Sequence, residues 1–334
     1  DCCHALAVIE NIWHSSPKTK ITWVIGKAEH QLFKDIKGVE FIVADKKKPF
    51  ESFFKIKKEL RGRCFDVLLN IHASMSANLI SLAIKAKKKV GFDRDRARDL
   101  QNLFCNEYIQ PIKNQHVVDG MLEFTKYLNL DSAAKWTPLI LEPEEGFARG
   151  YIHSNKVTCL ISPCSSQRYG DQYNRSWSIN NFAELIKYLI NLENLQVIMT
   201  GGNSPPEQLY SKELDDLFGN SILNLIGKTS IREMAALIKY SDFIISPDSG
   251  PAHIATIMGK PVIGLYAMSN PKRSGPYNSD EWLINKYDQA LKVFMDKSPT
   301  EVKFGQKIKQ PEAMDLIETR DVIEKVERLI KHES

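Results

Sequence analysis

Short runs of continuous apolar residues alternate along the chain with longer stretches whose apolar positions recur every three or four residues. The short runs are ITWVIG (21–26), VEFIVAD (39–45), DVLLNIH (66–72) and KKVGFD (88–93), followed by VTCLISP (157–163), LQVIMTGG (195–202), ILNLIG (222–227), DFIISPDSG (242–250) and PVIGLY (261–266). Unbroken apolar runs of this length predict strands covered on both faces, and the stretches of helical period between them predict crossover helices. Those helices are FESFFKIKKELRG, SANLISLAIKAKK, NNFAELIKYLINL, PEQLYSKELDDLF and IREMAALIKYS, with an amphipathic final helix at TRDVIEKVERLIKH (319–332). The pattern is α/β with parallel sheets. The stretch TPLILEPEEGFARGYIHS (137–154), rich in proline, glycine and charge, reads as a linker. It predicts two Rossmann-like domains, 1–145 and 146–334, whose sheets face a central cleft. The opening segment DCCHALAVIENIWHS instead has helical period, with Asp1 where an N-cap or first-turn acid belongs. An α/β domain ordinarily begins with a strand, so a first strand is expected ahead of Asp1.

Composition narrows the class. The 334 residues are 43% hydrophobic and 26% charged, as in a globular protein able to bury a core. A net charge of +4, from 45 basic and 41 acidic residues, is too mild to argue for nucleic acid as a partner. Its distribution says more: KKK (46–48), KIKK (55–58), KAKKK (85–89) and the arginines 94, 96 and 98 all lie in the first half. Six cysteines without a CxxC pair fit reduced, cytoplasmic usage, with neither zinc nor a disulfide framework expected. No apolar run approaches the roughly 20 residues of a membrane-spanning helix.

The densest polar chemistry is SPDSGPAHIATIMGKPVIGLY (246–266). A buried strand ends there, and a helix starts immediately after Asp248, Ser249, Gly250 and Pro251. Glycine permits a tight turn, and proline suits the first turn of a helix. The free N–H groups at such a helix start, at the carboxyl end of a parallel strand, suit a phosphate. The Ser249 hydroxyl and His253 would add donors, although Asp248 or Ser249 alone is equally what a helix cap needs. A second loop after a strand, ISPCSSQRYGDQYNRSWSINNFAEL (161–185), offers Ser165, Ser166 and Arg175 to an anion; an ordinary solvated loop would look similar. Glu207, after the two glycines of MTGGNSPPEQLY, is a weaker candidate and fits a first-turn helix acid as well.

These segments, continued by AMSNPKRSGPY (267–277), resemble glycosyltransferase family 9, the lipopolysaccharide heptosyltransferases. Asp248, Ser249, Gly250 and His253 match the family's D-[ST]-G-x-x-H, and Arg175-Ser176-Trp177 matches its diphosphate-binding basic residue before a tryptophan. Ala267 and Cys164 stand where glycine is usual. Asp1-Cys2-Cys3-His4-Ala5-Leu6 is similar to the family's GD-x-x-H-x-L-P, whose aspartate is the proposed catalytic base; a plain N-cap is the other reading. GFDRDRARD, with Asp99 in place of the usual glutamate, resembles the segment whose arginine, here Arg98, contacts an anionic acceptor. Arg94, Lys57 and Lys58 would assist it.

The resemblance implies a GT-B fold and an inverting, metal-independent transfer of heptose from ADP-heptose to a Kdo-type inner-core lipopolysaccharide acceptor. Asp1 would be the base, and Arg175 would stabilise the leaving diphosphate. Ser165, Ser166, Glu207, Asp248, Ser249, Gly250 and His253 would bind the donor, and no cofactor or metal would be needed. The enzyme would be cytoplasmic and peripheral to the inner face of the inner membrane. Two other readings are a nucleotide-sugar epimerase or hydrolase on the same scaffold, and a basic anion-binding protein with a decayed site.

Overall fold

The computed structural model describes residues 2–45, 47–165 and 174–333. The chain divides into two compact units, Asp1–Ile140 and Leu141–Ser334. In the first unit the order is α1 (Cys2–Ser15), β1 (Ile21–Gly26), α2 (Lys27–Phe33), β2 (Val39–Ala44), α3 (Pro49–Glu59), β3 (Phe65–Leu69), α4 (Met75–Ser81), β4 (Ala86–Gly91), β5 (Glu107–Tyr108) and α5 (Val117–Tyr127). Among the described residues its strands form two parallel sheets, β1-β2 and β3-β4-β5. Both sheets share the same apolar layers. Ala5, Val8, Ile12 and Met121 pack with Ile21 and Trp23 of β1 and with Leu69 and Ile71. Ile42, Ile56, Leu60, Ile80 and Ile84 pack with Val24 of β1 and Leu68 of β3.

A polar clamp adds to this. Thr22 on β1 is the register partner of Glu40 on β2 and donates to its Oε2 at 2.7 Å. Arg63, just before β3, grips both Glu40 oxygens at 2.7 Å and reaches Thr22 Oγ1 at 3.0 Å. The Arg63 hydrogen bond, then that of Thr22, holds the Glu40 carboxyl down at about 2, against an ordinary value of 4.5. A depressed folded-state value means that the clamp's contribution is complete above the unfolded value and is lost as pH falls through the folded one. The stability difference between the natural chain and Glu40→Gln should therefore shrink as pH is lowered from about 4.5 to about 2. Denaturant titrations across that window check it, and a difference independent of pH would remove the clamp. The pair is half exposed, so the effect should be modest.

The second unit runs α6 (Glu142–Arg149), β6 (Val157–Ile161), α7 (Ile179–Leu189), β7 (Leu195–Met199), α8 (Pro205–Phe218), β8 (Leu223–Asn224), α9 (Ile231–Tyr240), β9 (Phe243–Pro247), α10 (Gly250–Ile257), β10 (Val262–Tyr266), α11 (Pro271–Ser274), β11 (Ile284–Asn285), α12 (Tyr287–Met295) and α13 (Thr319–Glu333). Its parallel sheet has the order β11-β10-β9-β6-β7-β8. β6 and β9 are buried throughout apart from half-buried Val157, as expected of strands covered on both faces. Serines start the helices between: Ser178 accepts from Asn181 N, and Ser230 and Glu233 form a capping box.

Two expectations are corrected here. The stretch 137–154 is not simply a linker, because α6 lies within it and packs on α9. The helix expected over SANLISLAIKAKK stops at Ser81, because Ala86–Gly91 pairs with both β3 and β5. The lysine run of β4 is therefore largely committed: Lys87 pairs with Asp66 at 2.7 Å, Lys88 lies over the Tyr127 ring, and Lys89 donates to Ser81 O at 2.9 Å.

Candidate active site

The sheet order of the second unit locates a site. From β6 the chain winds outward through β7 and β8, then returns to β9 and winds the other way through β10 and β11. The reversal makes the carboxyl ends of β6 and β9 the switch point at which open α/β sheets receive ligands. Ser165 and Arg175 follow β6, and Asp248, Ser249 and Gly250 follow β9.

These segments meet. Arg175 Nη2 donates to the Asp248 carbonyl oxygen at 3.0 Å, and its Nε lies 3.4 Å from Asp248 Oδ2. Both side chains are mostly buried, 13% and 14% exposed. Arg175 Nε itself is buried without a hydrogen-bond acceptor among the described residues. The guanidinium charge is paired with Asp248, but the Nε–H lacks a well-directed acceptor, which an anionic oxygen would supply. His253 Nε2 stands 3.9 Å from Asp248 Oδ1. The other oxygen, Oδ2, accepts from Ser269 Oγ at 2.8 Å. Ser269 follows β10 and is buried. Sequence reasoning did not single it out, although its position at the carboxyl end of the strand beside β9 was the available signal.

Ser249 is buried and is the N-cap residue of α10, but its hydroxyl does not cap the helix. It shares a 2.7 Å hydrogen bond with Ser246 Oγ. Gly250 does not adopt a left-handed conformation, and a Cβ built on it would meet nothing within 4 Å. Its value is therefore not the tight turn expected from sequence but the open space beside the start of the helix. Gly250→Val should leave the melting temperature within a degree or two while weakening the binding of a phosphate-type anion about tenfold or more, since a side chain there would occupy the open space at the helix start. Calorimetric titration with inorganic pyrophosphate decides, and unchanged affinity would move the anion site elsewhere.

Ser165 serves the loop more than open space. Its hydroxyl accepts from Arg175 N at 2.9 Å and donates to Asn174 Oδ1 at 3.0 Å, while its N–H donates to Ser176 Oγ at 3.0 Å. Asn174 also accepts from Ser176 N at 2.8 Å and from the Ser176 hydroxyl. Trp177 is fully buried, donates through Nε1 to Ile317 O at 3.0 Å and accepts from the Tyr210 hydroxyl at its carbonyl. Arg175 is thus held between an anchored tryptophan and a pinned serine. Burial pushes the neighbouring Cys164 thiol up to about 12, so it is no nucleophile.

Glu207 takes the capping geometry. It accepts from Gly202 N at 2.6 Å and Ser204 N at 2.9 Å, forming the capping box of α8. Asp1 and Ser166 lie outside the described residues.

In the first unit Arg94, Arg98, Lys57 and Lys58 are exposed. Arg98 precedes two left-handed residues, Asp99 (φ 50) and Leu100 (φ 60). That turn is docked on α4, with Asp99 Oδ2 accepting from Met75 N and Asp99 O from Asn78 Nδ2, each at 2.9 Å. Arg96 is committed instead to Asp93, Gln115 and Gln110 O. Among the described residues no group of three or more His, Cys, Asp or Glu side chains is arranged to hold a metal ion.

The sheet, its switch point and the Arg175–Asp248 pair define a candidate anion site in an open α/β unit, and the comparisons with known proteins define the class. Residues 53–302 match glycosyltransferase family 9 (heptosyltransferase), and the chain belongs to that family. It is 36% identical over 330 residues to the lipopolysaccharide core heptosyltransferase OpsX of Haemophilus influenzae, covering 98% of this chain and 93% of the relative. In fold it matches the family 9 glycosyltransferase of Veillonella parvula at a TM-score of 0.78, with 19% identity, covering 99% of this chain and 94% of that one. It also matches E. coli heptosyltransferase WaaC with ADP at a TM-score of 0.73, with 17% identity, covering 98% and 96%. The fold is GT-B, as expected, and the protein is a heptosyltransferase.

Proposed function

We propose that this enzyme transfers a heptose from ADP-heptose to a Kdo-type acceptor in the lipopolysaccharide inner core, with inversion and without a metal ion. The observation that carries the reading is Arg175, buried at the β6–β9 switch point with an unsatisfied Nε beside the open start of α10. In the reaction the bond from the anomeric carbon to the diphosphate oxygen breaks, and charge grows on that diphosphate. Arg175 and the α10 backbone N–H groups are fixed donors for this charge, and preorganised donors of this kind supply much of an enzyme's acceleration. Asp248 orients the guanidinium, and Ser269 orients Asp248. Asp1 would take the proton of the attacking acceptor hydroxyl. The exposed Arg98, with Arg94, Lys57 and Lys58, would receive the acceptor's carboxylate or phosphate groups, for which arginine's two-pronged geometry is suited. The relative's action on lipopolysaccharide core supports this acceptor class and, with it, work at the cytoplasmic face of the inner membrane. An epimerase, a hydrolase or a decayed binding protein is not favoured by family membership.

The experiment is a two-part assay on the full chain. Thermal shifts with ADP, UDP, GDP, CMP and NAD, with and without EDTA, should show selective, EDTA-insensitive stabilisation by ADP. Incubation with ADP-heptose and a Kdo-bearing acceptor should then yield ADP and heptosylated acceptor in equal amounts. Release of free heptose, or stabilisation by UDP alone, would overturn the reading.

A further inference from the structure

We infer that the outer face of α3 is a membrane-docking surface that inserts Phe50 and Phe54 into the headgroup region of an anionic lipid bilayer. Among the described residues these are the exposed phenylalanines, at 74% and 67%. They stand four residues apart and so project side by side. At 100° per residue, Phe50, Phe54, Lys57 and Lys58 fall within an arc of about 100° on one side of the helix. The opposite side is fixed to the unit by fully buried Ile56 and by buried Ser52, whose Oγ accepts from Asp45 N at 2.8 Å.

Charge on the outer face is one-sided. The acids of α3 are matched locally: Glu51 pairs with Lys48 at 3.1 Å and Glu59 with Lys55 at 3.8 Å. Lys57 and Lys58, with Lys47 and Arg61 at the two ends, make no ion pair with a described residue. Lys57 lies over the Phe53 ring, 5.8 Å from its centre, which keeps its ammonium beside the aromatic face. Two bare aromatic rings ringed by uncompensated cations on a convex helix do not form a groove for a peptide. They complement a flat, negatively charged surface in which rings enter the headgroup layer and cations meet phosphates. An enzyme acting on a lipid-linked acceptor would gain from being held at that surface. The inference deepens the proposed function, yet it concerns binding alone and can fail separately.

The test uses the full chain and sedimentation of sucrose-loaded vesicles that contain no acceptor glycolipid. One set is phosphatidylglycerol with phosphatidylcholine, the other phosphatidylcholine alone. The natural chain should bind the anionic set, lose most binding in 0.5 M salt (roughly a 4 Å screening length), and ignore the neutral set. The double variant Phe50→Ser, Phe54→Ser should bind at least about tenfold more weakly, and so should Lys47→Glu, Arg61→Glu. Leu103→Ser, at another exposed apolar position, should bind normally. Melting temperatures establish that each variant is folded. With a deacylated, water-soluble acceptor, the double phenylalanine variant should keep its kcat and KM. Equal binding by the double variant, binding to neutral vesicles, or concentration-dependent self-association abolished by the same substitutions would overturn the proposal. Vesicle binding without any transferase activity would overturn the proposed function and leave the docking surface standing.

Discussion

Arg175→Met should lower kcat/KM for the donor by about 10²–10³-fold, because on the proposed mechanism it removes a preorganised donor to the departing diphosphate. The guanidinium is 13% exposed, its Nη2 is fixed on Asp248 O, and its Nε is left without an acceptor. Little reorganisation is needed for it to meet an anion. Methionine fills similar volume, so the loop anchored by Trp177 and Ser165 should keep its path, and the circular dichroism spectrum should be unchanged. Arg175→Lys retains the charge but not the planar fork, and should recover only part of the loss. Steady-state kinetics in both substrates give the answer. A donor kcat/KM within threefold of the natural enzyme would remove Arg175 from the chemistry.

Glu144→Ala should be the more damaging change for stability. Arg232 is buried, and its guanidinium is held by both Glu144 oxygens, Nε at 2.7 Å and Nη2 at 3.1 Å. Removing the carboxylate takes the two-pronged partner from a buried cation, a cost of up to about 3–5 kcal/mol. For a unit of this size that corresponds to a fall in melting temperature of roughly 10 °C. Glu144→Leu combined with Arg232→Met should recover much of the loss, since an apolar pair of similar volume needs no desolvation of charge. Thermal unfolding followed by circular dichroism distinguishes the outcomes. A shift below about 2 °C for Glu144→Ala would show that the pair is well hydrated and peripheral.

The central strands of the second unit were legible because both of their faces are buried, which leaves largely apolar runs such as VTCLI and FIISP. β5 and β11, each two residues long, carry too little pattern to separate from loop. α6 was read as linker because Pro143, Gly146 and Gly150 suggested irregular chain. Yet Pro143 lies in its first turn with Glu142, Glu144 and Glu145, which are helix-start signals. What decided the matter was a tertiary pairing, Glu144 with Arg232 and Glu145 with Lys239 at 2.7 Å, between residues about ninety apart. The candidate site divides in the same way. Asp248 and Arg175 were legible as polar residues at strand ends, but their contact was not, and neither was Ser269. Glu207 shows the reverse: its residue type suited a ligand, while its oxygens serve the backbone of its own helix start.

Trp177 has a consequence for observing this enzyme at work. The indole is fully buried, stacks edge-on against Phe182 with ring centres 5.1 Å apart, and is tied at Nε1 to Ile317 O. Only Ser176 separates it from Arg175. The fluorophore is therefore rigid, dry and joined by two peptide bonds to the cation that would grip the donor. In a variant whose other four tryptophans are replaced by phenylalanine, its emission would report on the loop that carries Arg175 in real time without a label.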